Sequence, residues 1–208
     1  MTKTLRTALV AGAALALLAG PSVTTSRAAA AGQTLQNLQA AFNGESNAHA
    51  RYLAFATKAD AEGYAGAASL FRAAANAEGI HAAAHAVVIR KLGAEPQADV
   101  KAPEVKSTRE NLTAAIEGES YERDTMYPGF IKQARAEGNK DALQSFNYAK
   151  TAEAEHAKLY TEARDSLDNW KTARDFYVCA VCGYTTTNLS FEKCVSCFSS
   201  KDRYVKVS

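Results

Sequence analysis

Two Glu-x-x-His steps, Glu78–His81 and Glu153–His156, are where residue type and spacing point most directly to chemistry. A step of three residues places both side chains on one face of a helix. A single such step is common on surface helices. Here each copy follows another glutamate at nearly constant distance: Glu45 lies 33 residues before Glu78, and Glu119 lies 34 before Glu153. The surroundings repeat too. Gly44-Glu45-Ser46 returns as Gly118-Glu119-Ser120, and Ala77-Glu78 returns as Ala152-Glu153.

These acids lie on apolar seams. Alternating steps of three and four lead from Leu38 and Phe42 to Glu45, His49 and Tyr52. They lead likewise from Phe71 and Ala74 to Glu78, His81 and His85. In the third segment Leu112 and Ala115 precede Glu119, Glu122 and Met126; in the fourth, Phe146 and Ala149 precede Glu153, His156 and Tyr160. A solvated face would expose those Leu, Phe and Tyr residues as well. An unpaired carboxylate in an apolar interior is costly or takes up a proton. For the five acids Glu45, Glu78, Glu119, Glu122 and Glu153, only His81 and His156 stand at the same level, and the central seam has no Lys or Arg. Two divalent cations would satisfy the oxygens. Five carboxylates with two imidazoles suit iron or manganese, and are poor for calcium and unusual for structural zinc. Glu122 exceeds the minimal set, so His81 and Glu122 are candidates to alternate on one metal. His49 and His85, one turn away, are expected to hydrogen-bond in the core.

A second donor set lies near the C-terminus. Cys179-x-x-Cys182 and Cys194-x-x-Cys197 form two knuckles, the chain's four cysteines in all. Two such pairs predict a tetrahedral four-thiolate site. Gly183 lets the backbone turn so that amides face sulfur. Iron and zinc both accept these ligands. Cysteines two residues apart pair poorly as disulfides, although an exported chain admits that option.

The elements that must position these groups are helices. The 208-residue chain is 47% hydrophobic and rich in Ala, with four Pro and none from Thr34 to Glu95. The pattern predicts a helix from Thr34, as N-cap, to Glu62, stopped by Gly63, and a second from Ala65 to Leu92, stopped by Gly93. Pro96 and Pro103 mark a crossover. A third helix opens at the capping box Ser107/Glu110, is kinked by Pro128 and ends near Gly138. A fourth runs from Asn139 to about Trp170. Short-looped pairs joined by one long connection predict an all-α four-helix ferritin-like bundle over residues 31–171. A small C-terminal rubredoxin-like metal-binding β module follows at 172–208.

Residues 1–30 read as a secretory signal peptide. Lys3 and Arg6 precede an apolar run from Ala8 to Ala19, and Ala28–Ala30 offer a cleavage site. That predicts export by the general secretory route, to the periplasm, over a retained membrane anchor or the cytoplasm. Of 24 basic residues three lie in this leader, leaving 21 against 22 acidic. A near-neutral chain without a basic aromatic patch predicts no nucleic-acid partner.

Together these motifs resemble rubrerythrin over nearly all of the mature chain. They are Phe42-Asn43-Gly44-Glu45, Arg51-Tyr52, Glu78-x-x-His81, Gly118-Glu119-x-x-Glu122, Met126-Tyr127-Pro128, Glu153-x-x-His156 and the Cys179–Cys197 module. The resemblance implies a non-haem di-iron centre at Glu45, Glu78, His81, Glu119, Glu122, Glu153 and His156, and one iron in the four-cysteine site. It implies a peroxidase-type oxidoreductase that reduces hydrogen peroxide to water, with electrons from a donor protein or reductase entering at the cysteine-bound iron. It also implies a homodimer or larger homo-oligomer that brings one subunit's cysteine iron near another's di-iron site. Tyr52 and Tyr127 then stand to hydrogen-bond a ligand carboxylate or peroxide, or to pack. Two features depart from the family: the leader, and Val195 where such knuckles often carry Pro. The bundle alone equally suits a ferroxidase or iron-handling protein, and zinc in the tail would suit a non-enzymatic interaction protein.

Overall fold

A computed structural model describes residues 1–2 and 32–208. The predicted leader lies outside the described residues apart from its first two positions. Helix α1 spans Gln33–Ala61, α2 Ala65–Lys91, α3 Thr108–Tyr121, α4 Tyr127–Ala136 and α5 Lys140–Asp165. A π-helical turn, Glu122–Met126, joins α3 to α4. Strands β1 (Phe176–Cys179), β2 (Thr185–Thr186) and β3 (Tyr204–Val207) form an antiparallel sheet in the order β2-β1-β3. Among the described residues no helix is long and apolar enough to cross a membrane.

The predicted capping box forms, and Asn139, at the expected start of the last helix, proves to be its N-cap. Ser107 and Glu110 form a reciprocal capping box, and the Asn139 side chain accepts from Ala142 N. Thr34 is not the N-cap of α1; it lies inside the first turn, and its amide is satisfied from across the fold by Glu137 Oε2 at 3.2 Å. The fourth helix ends at Asp165 and not near Trp170, where a short 3-10 turn, Leu167–Trp170, follows. The crossover after α2 runs along α1, pinned by three amides spaced four apart. Gln39 donates to Glu95 O, Asn43 accepts from Asp99 N, and Asn47 accepts from Lys101 N. Spacing of four keeps those amides on one face.

Two apolar clusters fill the bundle. One contains Tyr52, Phe55, Phe71, Leu112, Tyr160 and Trp170; the other contains Leu38, Ile89, Tyr127, Ala134 and Phe146. Each large side chain so buried contributes about 1.5–3 kcal/mol of transfer free energy. The first cluster also takes in Phe176 and Val178 of β1, so the C-terminal sheet is packed onto the bundle of its own chain. Phe176 stacks on Trp170 with ring centroids 6.3 Å apart. The connecting backbone passes over Gly66, where a Cβ would collide with the Trp170 and Thr172 carbonyls.

Candidate metal centre

The acids converge between the two clusters as the seams predict. Glu45, Glu78, Glu119 and Glu153 are buried, each at no more than 1% exposure, and His81 and His156 are at 2% and 0%. Their donor atoms form two quartets, each within 4.8 Å: Glu45, Glu78, His81, Glu153 and Glu78, Glu119, Glu153, His156. Glu78 and Glu153 belong to both. Glu78 directs Oε2 to His81 Nδ1 at 2.9 Å and Oε1 to His156 Nδ1 at 3.4 Å. Glu153 directs Oε1 to His81 Nδ1 at 3.2 Å and Oε2 to His156 Nδ1 at 3.0 Å. Glu45 stands on the His81 side at 3.8 Å and Glu119 on the His156 side at 3.6 Å. Glu78 and Glu153 thus stand between the two imidazoles, with Glu45 and Glu119 each on one side. Four buried oxygens, Glu45 Oε2, Glu78 Oε1, Glu119 Oε2 and Glu153 Oε1, lack any hydrogen-bond partner. Such orphaned oxygens are the mark of a missing cation or proton, and the donor set fits two iron or manganese ions.

Electrostatics agree with that fit. Burial, then the surrounding carboxylates, pushes Glu78 up, and pushes Glu122 and Glu153 well up. Burial also acts on Glu45 and Glu119, but hydrogen bonds and charge from His81 and His85, and from His156, outweigh it and hold both below the ordinary range. Burial opposes charge on His81 and His156; Glu153 and Glu119 respectively lead the carboxylates that overcome it and raise both well up.

Glu122 stands outside both quartets, half-buried at the start of the π turn, its carboxylate facing Gly44 of α1. Tyr52 and Tyr127 are buried and both serve ligand carboxylates. Tyr52 Oη donates to Glu119 Oε1 at 2.6 Å, and Tyr127 Oη donates to Glu45 Oε1. The two bonds mirror each other across the repeat. Tyr52 follows Glu45 by seven residues and Tyr127 follows Glu119 by eight. At about 100° per residue seven steps return to the same face, while eight overshoot by roughly 80°. The π turn absorbs the extra residue. It also corrects the predicted seam: Met126 is half-buried and Tyr127 faces inward. Pro128 supplies the cause, since it cannot donate to the carbonyl four residues back and its ring crowds it.

His85 bonds Tyr127 Oη at 3.1 Å and Ser145 Oγ at 2.7 Å, and His49 bonds the Ala75 carbonyl at 2.6 Å. Both act behind the site, as expected. Arg51 belongs to no seam, yet its guanidinium covers the Tyr52 ring at 5.2 Å. Burial opposes its charge, and Tyr52, Glu122 and Glu119 outweigh that.

The four cysteines are free thiols whose sulfurs form one group. Cys179 and Cys197 lie 3.7 Å apart and Cys182 and Cys194 3.6 Å. Metal–sulfur bonds of about 2.3 Å in a tetrahedron put sulfurs about 3.8 Å apart. Cys179 is pushed down to about 4, first by the Cys182 thiol and then by Ser199 and the Val181 and Cys182 amides, against burial. Gly183 has φ of 76°, and a Cβ there would overlap the His81 imidazole. The module thus reaches the Glu–His cluster directly. His81 Nε2 lies 3.1 Å from the Cys182 carbonyl, and His156 Nε2 lies 2.9 Å from Thr185 Oγ1. Spacing gave no sign of Thr185, which lies between the two knuckles; only the packing of β2 on the bundle brings it there. The resemblance implied this closeness between subunits; here it occurs within one chain.

Comparison with known proteins gives a consistent picture. Residues 36–164 match the family model described as Rubrerythrin. Nigerythrin of Nitratidesulfovibrio vulgaris is 42% identical over 178 residues, covering 84% of this chain and 87% of that protein. Rubrerythrin-2 of Clostridium acetobutylicum is 37% identical over 175 residues, covering 82% and 95%. A structure of fully reduced, all-ferrous nigerythrin superposes with a TM-score of 0.79 at 40% identity, covering 88% and 91%. A Desulfovibrio desulfuricans bacterioferritin, at 20% identity, TM-score 0.62 and coverage of 67% and 82%, shares the fold.

Proposed function

We propose, from the premise that this chain belongs to the rubrerythrin family, that it reduces hydrogen peroxide to two waters with two electrons and two protons, the electrons arriving through a rubredoxin-type iron. The family is one of di-iron, peroxide-reducing proteins with a four-cysteine metal site, and the chain carries both donor sets. The observation that carries the reading is the contact between them: one hydrogen bond separates Cys182 from a site imidazole.

Two ferrous ions held in the bundle would supply Lewis acidity and the two electrons. The chain's residues do the rest. Glu45, Glu78, His81, Glu119, Glu153 and His156 would hold the ions, Glu78 and Glu153 standing in both quartets, and Glu122 would exchange with His81 as redox state changes. Tyr127 and Tyr52 orient the Glu45 and Glu119 carboxylates. Glu122, beside the cluster and with raised proton affinity, holds a proton for a departing oxygen. The buried aromatic clusters exclude bulk water. Cys179, Cys182, Cys194 and Cys197 would hold the entry iron, reduced by an external protein or reductase. The leader supports an exported, periplasmic setting, and the family supports a homo-oligomer.

Stopped-flow mixing of the fully reduced protein with peroxide tests this. Oxidation by peroxide is expected to outpace oxidation by oxygen, followed by re-reduction through the thiolate-bound iron. Oxidation no faster with peroxide than with oxygen would favour ferroxidase or iron-handling chemistry instead.

A further inference from the structure

Both site histidines present their outer nitrogen to the cysteine module. His81 Nε2 meets the Cys182 carbonyl, which can only accept. His156 Nε2 meets Thr185 Oγ1, whose own proton is directed to the Gly183 carbonyl at 3.2 Å. A hydroxyl that donates to Gly183 accepts from His156. Each contact therefore requires a proton on Nε2 and leaves Nδ1, which faces the carboxylates, as the nitrogen that could bind a metal once its own proton is lost. Thr185 is fully buried, and β2 is tied to β1 through the Val178↔Thr185 and Tyr177↔Thr186 pairs. β1 is in turn anchored in the bundle by Phe176 and Val178.

We propose that Thr185 is a positioning residue for His156, holding its imidazole in the tautomer and orientation that offer Nδ1 to a metal. The cysteine module is then a wall of the bundle site as well as the carrier of its own metal. This rests on the two-metal reading given above. Outer partners of ligating histidines commonly govern about 10–100-fold in metal affinity. Because the anchoring of β1 does not involve the Thr185 hydroxyl, that hydroxyl can be removed without releasing the module.

The test uses the full-length protein with Thr185→Val and Thr185→Ser. Each is titrated anaerobically with ferrous iron against a competing chelator, the cysteine site being followed by its thiolate charge-transfer band after oxidation. Thr185→Val is expected to weaken one of the two bundle metals by about 10–100-fold, with the other metal and the band unchanged. Thr185→Ser, which restores the hydroxyl, is expected to bind as the wild type does. Thr185→Val binding both bundle metals with wild-type affinity overturns the proposal. Should Thr185→Val lose the band, Thr185→Ala against Thr185→Ser decides by the same criterion. Failure of the wild type to take two bundle metals would overturn the underlying site reading before any variant is compared.

Discussion

Glu78 and Glu153 each divide their two oxygens between His81 and His156, and Glu45 and Glu119 add a further carboxylate on either side. Burial disfavours charge on both imidazoles, but the carboxylates prevail and raise both pKa values well above the ordinary range. Binding a metal at Nδ1 must expel those protons. Raised pKa values keep the histidines charged through neutrality, so ferrous affinity is expected to rise with pH there. Calorimetric titrations in buffers of different ionisation enthalpy are expected to report net proton release. Zero release would contradict His81 and His156 as ligands. The Glu and His residues that gather here were legible because their types and steps recur on four apolar seams, although Glu122, on one of those seams, stands outside both quartets. The sharing of Glu78 and Glu153 was not, since it depends on the angle at which α2 and α5 face each other.

At the scale of elements, the π turn is the feature that makes the two halves equivalent. It lets Tyr127 reach Glu45 as Tyr52 reaches Glu119, despite one additional residue. Pro128, expected to interrupt the helix, does so through the π turn that immediately precedes it. Deleting Thr125 while changing Pro128→Ala would replace the π turn by a regular one and bring the tyrosine from eight to seven residues after Glu119. This double change is expected to retain two-metal binding and a far-ultraviolet helical spectrum close to wild type. Deleting Ala114 in α3 instead turns every later residue by about 100° and is expected to abolish two-metal binding. Equal loss in both, read by metal content, would show that the π turn has a role beyond register.

For the whole molecule the decisive contact is between the module and the bundle. Phe176 and Val178 bury into the helical core, and Gly183 approaches His81 more closely than any side chain would allow. Both donor sets are thereby joined inside one chain. Gly183→Ala adds a methyl where the imidazole already sits and also strains a φ of 76°. It is expected to lift the module and speed proteolysis between Trp170 and Phe176 several-fold, without loss of helix content. Unchanged cleavage would mean that the module docks by β1 alone.

Local periodicity by itself placed the long helical segments, the Glu–His pairs on their inner faces and the two knuckles, because each is written in spacings of three, four or seven along one segment. Reading Thr34 as a cap failed for the opposite reason: the group that serves the start of α1 is Glu137, 103 residues away. Tertiary structure alone decided that Glu78 and Glu153 stand in both quartets, which ligand-side carboxylate Tyr127 meets, and that Thr185 and the Cys182 carbonyl stand behind the histidines. Those outcomes depend on how separate elements pack, and no interval along one chain segment encodes the distance between two of them.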